Sequence, residues 1–320
     1  MHDHAHDTID ASLLSTERGI WAVKWSFFWL FLTAVLQLVI VFFTGSVALL
    51  ADTIHNIGDA ATAVPLWIAF KFARRKPNNR FTYGYGRVED LAGVAVVLVI
   101  LFSAIVAGYQ SIERLIHPQK ISYLWAVIAA SIIGFIGNEA VAIFRIRVGR
   151  QIGSAALVAD GYHARVDGLT SLAVLFGAIG VWLGYPLADP VIGLLITVTI
   201  LRIVWDSGKA VFSRILDSID PEVVEEIRHA ASHIKEVKEI TEVRVRWVGH
   251  RLHTELNIAL DSGLTIEKAH AITKEVRHIL LHHLKYLDNA IIHVDPISAS
   301  GEQNHNITEH SHDGSTHSHN

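Results

Sequence analysis

Apolar residues in this chain gather in long uncharged blocks before about residue 212 and in short alternating runs after it. Trp25 to Phe43 is a run of 19 residues without a charge, long enough to cross a bilayer. Thr44-Gly45-Ser46 turns it into a second apolar stretch at 47–72, and Pro77 with Asn78-Asn79 breaks the connection that follows. Leu91 to Ile112 is a third uncharged run. Pro118 precedes a fourth span at 121–144, which carries the polar pair Asn138 and Glu139. A fifth at 153–183 and a sixth at 188–208 are joined through Gly184, Pro186 and Pro190.

Past residue 212 the period changes. Asp220-Pro221-Glu222 has the form of a helix start: a capping Asp, Pro at the first position and an acid in the first turn. Val223, Val224, Ile227 and Ile234 would then line one face. Alternation at 240–247 and 252–260 predicts two strands, 265–284 a helix, and 290–294 a short strand ending at Asp295-Pro296. The order α-β-β-α-β describes a small open α+β sandwich. The expected division is a histidine-containing polar tail at 1–19, a six-helix membrane domain at 20–211, a soluble α+β domain at 212–297 and a disordered His-rich tail at 298–320.

Composition agrees with a membrane-embedded part. The chain is 51% hydrophobic, 18% charged, with a mean hydropathy of +0.36, whereas soluble domains carry about 25% charged residues. Lysines and arginines fix the expected orientation. Six lie between spans two and three (Lys71, Arg74, Arg75, Lys76, Arg80, Arg87), and Arg145, Arg147 and Arg150 lie between four and five. The connections on the other side hold at most Arg114 and Lys120. Both termini are therefore expected in the cytoplasm, in an inner membrane, and residues 1–19 do not form a signal peptide. A net charge of -4 says little about partners, and no basic cluster argues for nucleic acid. The absence of cysteine excludes disulfides and thiolate metal sites. Of the 20 histidines, His2, His4 and His6 open the chain and His305, His310, His312, His317 and His319 close it. They read equally as loose metal capture or as incidental polar tails.

The candidate chemistry lies in a stretch that occurs twice. Residues 48–62 read ALLADTIHNIGDAAT and 156–170 read ALVADGYHARVDGLT, 108 positions apart (163 minus 55). In each, a His and an Asp four residues apart share one helix face. Ionisable groups inside a membrane are functional candidates by default. His55, Asp59, His163 and Asp167 together offer two imidazoles and two carboxylates, a sufficient shell for a tetrahedral divalent ion of the zinc type. The three-span unit repeats inverted, an arrangement that places sites near the midplane between repeats. Counting about 1.5 Å per residue, the first pair lies about 15 Å from the outer end of its helix and the second about 20 Å from the inner end of its own. In a core about 30 Å thick these depths overlap. Two buried carboxylates without a cation would take up protons, and imidazole titrates near neutrality, so an exchange of metal for protons follows as a hypothesis. A blander reading pairs the acids with Arg165 or other groups. A membrane metallohydrolase would need a further base, for which Glu139 is the spare carboxylate, and a metal sensor would need no flux at all.

Over about residues 16–296 the chain resembles the cation diffusion facilitator family of zinc exporters. The residues that carry the resemblance are His55-x-x-x-Asp59, His163-x-x-x-Asp167, FTYGYGRVED at 81–90 and IIHVDP at 291–296. It implies a six-helix membrane domain, a cytoplasmic domain of metallochaperone-like αββαβ fold, a homodimer and proton-coupled export rather than an enzyme. It also implies zinc as the ion, transported through His55, Asp59, His163 and Asp167, with cobalt, cadmium, iron or manganese as alternatives. Some members bind an ion in the loop between spans two and three, where this chain has Phe81 and Tyr85, so no metal is expected there. Cytoplasmic ligands at the dimer interface match His270, His293 and Asp295. Thr241 and the Leu256-Asn257 pair occupy other ligand positions, which leaves His250 or His253 as substitutes. His278, His282 and His283 read as a solvated face. Arg87 and Asp217 match a pair that would lock the dimer.

Overall fold

The computed structural model describes residues 5–44, 63–117, 124–185 and 187–300. Among the described residues six helices come first: α1 (Ala5–Thr44), α2 (Ala63–Ala73), α3 (Arg87–Ile116), α4 (Leu124–Ile152), α5 (Ala155–Trp182) and α6 (Ala188–Ile215). Within them, five segments are long and apolar enough to cross a membrane: Leu14–Phe43 of α1, and α3 to α6 over their whole lengths. The second expected span is described only from Ala63 on, and the Thr44-Gly45-Ser46 turn, Pro118, Pro186 and the residues after Ser300 fall outside the described residues. α1 begins at Ala5, inside the segment expected as a polar tail. The first Gly of the chain is Gly19 and the first Pro is Pro65, so no helix breaker interrupts the polar start.

α5 is the central helix of this part. It packs against α4, α6 and α3, and 44% of its apolar window is buried against 17% for α6. A short turn sets α4 against α5: Gly153 takes φ +75, where a side chain would be strained, and Ser154 then caps α5 by accepting from the Leu157 N–H at 3.1 Å. Two glycines allow the two backbones to meet. A Cβ on Gly149 would lie 2.9 Å from the Val158 nitrogen, and one on Gly161 would lie 2.9 Å from that of Ile146.

The chain divides into two compact units, the first formed by residues 1–219 and the hairpin tip Arg246–His253. The second contains α7 (Pro221–Ser232), α8 (Ile266–His283) and a three-stranded sheet in the order β1-β2-β3. The strands are β1 (Glu239–Val248), β2 (Arg251–Leu260) and β3 (Leu287–Pro296). Asp220 caps α7 through the Glu222 N–H at 3.1 Å, with Pro221 at the first position. Ile227 and Ala231 of α7, Ile258 of β2 and Val276 and Leu280 of α8 belong to its core. β3 is longer than the alternation at 290–294 suggests, since Leu287 and Ala290 are also buried.

Candidate metal centre

His163 and Asp167 project from the same face of α5, with Nδ1 and Oδ1 3.8 Å apart and side chains 1% and 8% exposed. One turn on, the hydroxyls of Thr170 and Ser171 fold back on the helix and both donate to the Asp167 backbone carbonyl, at 2.8 and 3.1 Å. At Gly168 the helix lies in ordinary contact with α4, Asn138 Cβ being 3.5 Å from where a Cβ would stand. Asn138 is itself buried. His55 and Asp59, the other half of the expected ligand set, lie outside the described residues.

Two ion pairs flank this face. Arg165 sends Nε and Nη2 to the two oxygens of Glu139, at 3.2 and 2.7 Å. The arginine that could have neutralised Asp167 is thus held by Glu139, and the carboxylate a hydrolase would need as its base is held by Arg165. One turn before His163, Asp160 meets Arg145 at 3.0 Å, and neither residue is exposed to solvent. Sequence reading missed both roles. Asp160 stands in the repeated motif without an assigned role, and Arg145 counts with Arg147 and Arg150 only toward the charge of the connection between spans four and five. Removing it leaves two cations, not three, on that connection, and Arg147 and Arg150 are exposed.

The expected cytoplasmic ligands are only partly brought together. His293 Nε2 lies 3.0 Å from Asp295 Oδ1. Among the described residues no three His, Asp or Glu side chains converge as they would around a metal, so His270 does not complete a set with these two. His250 requires a correction. It belongs to the hairpin tip in the first unit, where its Nδ1 lies 2.6 Å from Glu89 Oε2 and its Nε2 3.1 Å from Thr16 Oγ1, all three residues being buried. With a carboxylate as pure acceptor, Nδ1–H donates to Glu89, and Nε2 is engaged by the Thr16 hydroxyl, accepting from it in the neutral ring and donating to it in the protonated one. The ring has no lone pair left for a metal. The sequence could not have paired these residues, which are 161 and 234 positions apart. The tip is anchored further by the Gly249 N–H donating to Asp90 at 3.2 Å and by Arg214 lying 4.2 Å over the Trp247 ring.

In the loop expected to hold no metal, Phe81 and Tyr85 are in ring contact at 4.7 Å and the Asn78 amide donates to the Tyr85 hydroxyl at 2.8 Å. The Arg87–Asp217 pair forms within one chain, at 2.6 Å.

Residues 23–216 match the family described as cation efflux transmembrane domain, and residues 219–297 match that described as cation efflux protein, cytoplasmic domain. The chain belongs to the cation efflux family. This cation efflux transporter is a multi-pass membrane protein that moves divalent cations, with a helical membrane domain and a cytoplasmic α/β domain. Over 296 residues it is 53% identical to a probable cation efflux system protein of Mycobacterium tuberculosis, covering 92% of this chain and 89% of the relative. The manganese efflux system protein MneP of Bacillus subtilis is 24% identical over 259 residues, covering 78% of this chain and 87% of MneP. The solved metal-bound C-terminal domain of the CzcD transporter from Thermotoga maritima aligns at 25% identity, over 23% of this chain and 87% of that one, with a TM-score of 0.23.

Proposed function

We propose that this transporter exports zinc in exchange for protons, at a site formed by His55, Asp59, His163 and Asp167, and that it works as a homodimer with both termini in the cytoplasm. The observation that carries the reading is the buried His163–Asp167 face, 3.8 Å between ring and carboxylate. Its flanking arginines are both committed to other acids. Nitrogen and carboxylate oxygen suit zinc, and the repeated motif supplies the same pair a second time. Side chains whose charged forms are costly in a membrane are stabilised either by a divalent cation or by protons. Binding of one therefore opposes the other, and alternating access converts that competition into exchange. The ion is substrate here, not a resident cofactor.

Purified protein in vesicles tests this directly. Zinc should accumulate when a pH gradient is imposed, and Asp167→Ala should abolish uptake while leaving the protein folded. Transport retained by that variant would remove the site assignment. Uptake that ignores the pH gradient would remove the proton coupling alone. A sensor or hydrolase would move no ion. Because MneP is named for manganese, manganese belongs in the competition series. If manganese displaces zinc at lower concentration than zinc displaces manganese, the metal assignment falls and the rest of the proposal stands.

A further inference from the structure

Two histidine pairs in the second unit take no part in the reading above. His229 and His233 lie four residues apart at the end of α7, with ring centroids 4.5 Å apart and planes at 77°. His278 and His282 lie four apart at the end of α8, with ring centroids 4.3 Å apart and planes at 70°. All four side chains are exposed. An isolated solvated histidine needs no neighbour, whereas here the same spacing and the same ring contact recur on two helices.

We infer that each pair is a two-imidazole chelate for a borderline divalent cation such as zinc, on the surface of the cytoplasmic domain. Histidines at i and i+4 present their ring nitrogens on one helix face, the spacing that grips zinc in helical His-x-x-x-His motifs. Small χ rotations turn rings already in contact so that both nitrogens address one ion, with water completing the shell. Position adds to this. His229 is in the last turn of α7 and His233 caps it, and His282 is in the last turn of α8. A helix C-terminus carries partial negative charge and carbonyls without intrahelical partners, which favour a cation. These sites are distinct from His293 and Asp295 on β3, and each uses two ligands, consistent with no three candidate ligands meeting among the described residues. Loading at two open positions suits reversible capture of the transported ion's class rather than a structural metal.

Modification of the full-length protein in detergent by diethyl pyrocarbonate, resolved histidine by histidine through mass spectrometry during a zinc titration, tests the inference. His278 and His282 should lose reactivity together over one range of zinc, and His229 and His233 should do the same. In His282→Gln, protection of His278 should require at least roughly ten-fold more zinc, because the second ligand's effective concentration is lost. His278→Gln read at His282, and His233→Gln read at His229, provide independent repeats should one variant fold poorly. Protection that shifts less than about two-fold when the partner is replaced, or no protection at all, would mean single exposed histidines and overturn the inference. Loss of transport in Asp167→Ala with the paired protection intact would leave this conclusion untouched.

Discussion

Arg145–Asp160 and Arg87–Asp217 are both short ion pairs, 3.0 and 2.6 Å, but the first has side chains 1% and 0% exposed and the second 41% and 46%. Distance alone would rank the second as stronger. Burial reverses that order. Two charges removed from water lose their hydration, and each becomes intolerable without the other. Two charges at the surface remain solvated and screened, and hold together only weakly. The Arg165–Glu139 pair stands between them, at 32% and 27% exposure. The three form a graded series along one membrane protein, and the gradient is what substitutions should reveal.

The largest effect is expected from breaking the buried pair. Arg145→Gln leaves Asp160 charged and enclosed, a loss of about 3–5 kcal/mol, read as lower yield and an earlier thermal transition in detergent. Replacing both with leucine should recover most of that loss, since apolar pairs of similar volume often match buried ion pairs or exceed them by about 1–4 kcal/mol. If the double variant is as unstable as the single one, the pair does more than neutralise itself. Glu139→Gln should fall in between, about 1–3 kcal/mol, because Arg165 loses its charged acceptor but stays partly exposed. Arg87→Ala should cost only about 0.2–1 kcal/mol, and less at high salt. A larger and salt-insensitive loss would trace to its two other contacts, the shielded Asp90 carboxylate at 3.5 Å and the Arg214 carbonyl at 3.3 Å.

The smallest effect is expected at Glu267 on the exposed first turn of α8. Its carboxyl is held below the usual glutamate range by its own backbone N–H and by the Thr265 hydroxyl, slightly opposed by desolvation. A depressed folded value means that the stabilisation is present above the ordinary glutamate pKa and fades as pH falls through the lowered one. Carbon-13 NMR of the side chain should give a midpoint below that of an unfolded glutamate, and Thr265→Ala should move it upward.

Much of this architecture can be read from the chain because membrane spans and half-buried strands impose periods that local sequence must obey. Leu91 to Ile112 is uncharged because α3 has the length and apolarity of a membrane span and packs its other side into an apolar core with α5 and α6, and the alternation at 252–260 reflects a strand with one buried face. Shared helix faces are equally local, so His163 and Asp167 could be paired by counting. Partners brought from far away are a different matter. Nothing near Arg145 distinguishes it from Arg147, yet one is enclosed and the other exposed. His250, between two strands, reads as a substitute ligand of the cytoplasmic site, and nothing local points to Glu89 and Thr16 as its partners. The start of α1 was hidden for another reason: helix formation there requires only the absence of breakers, which leaves no apolar signature.

The Thr16–His250–Glu89 chain has a mechanical corollary. α1 and α3 are joined at a single level through one imidazole ring. Sliding α1 along its axis by a helical turn, about 5.4 Å, would sever the Thr16–His250 contact while leaving His250 on Glu89. The far end of α1 is tied as well, Leu30 packing with Val141 and Ala142 and Val41 with Ala126 and Ala130 while the Gln37 amide donates to the Ala130 carbonyl at 3.3 Å, so α1 is fastened to α4 along its length and the two helices move together.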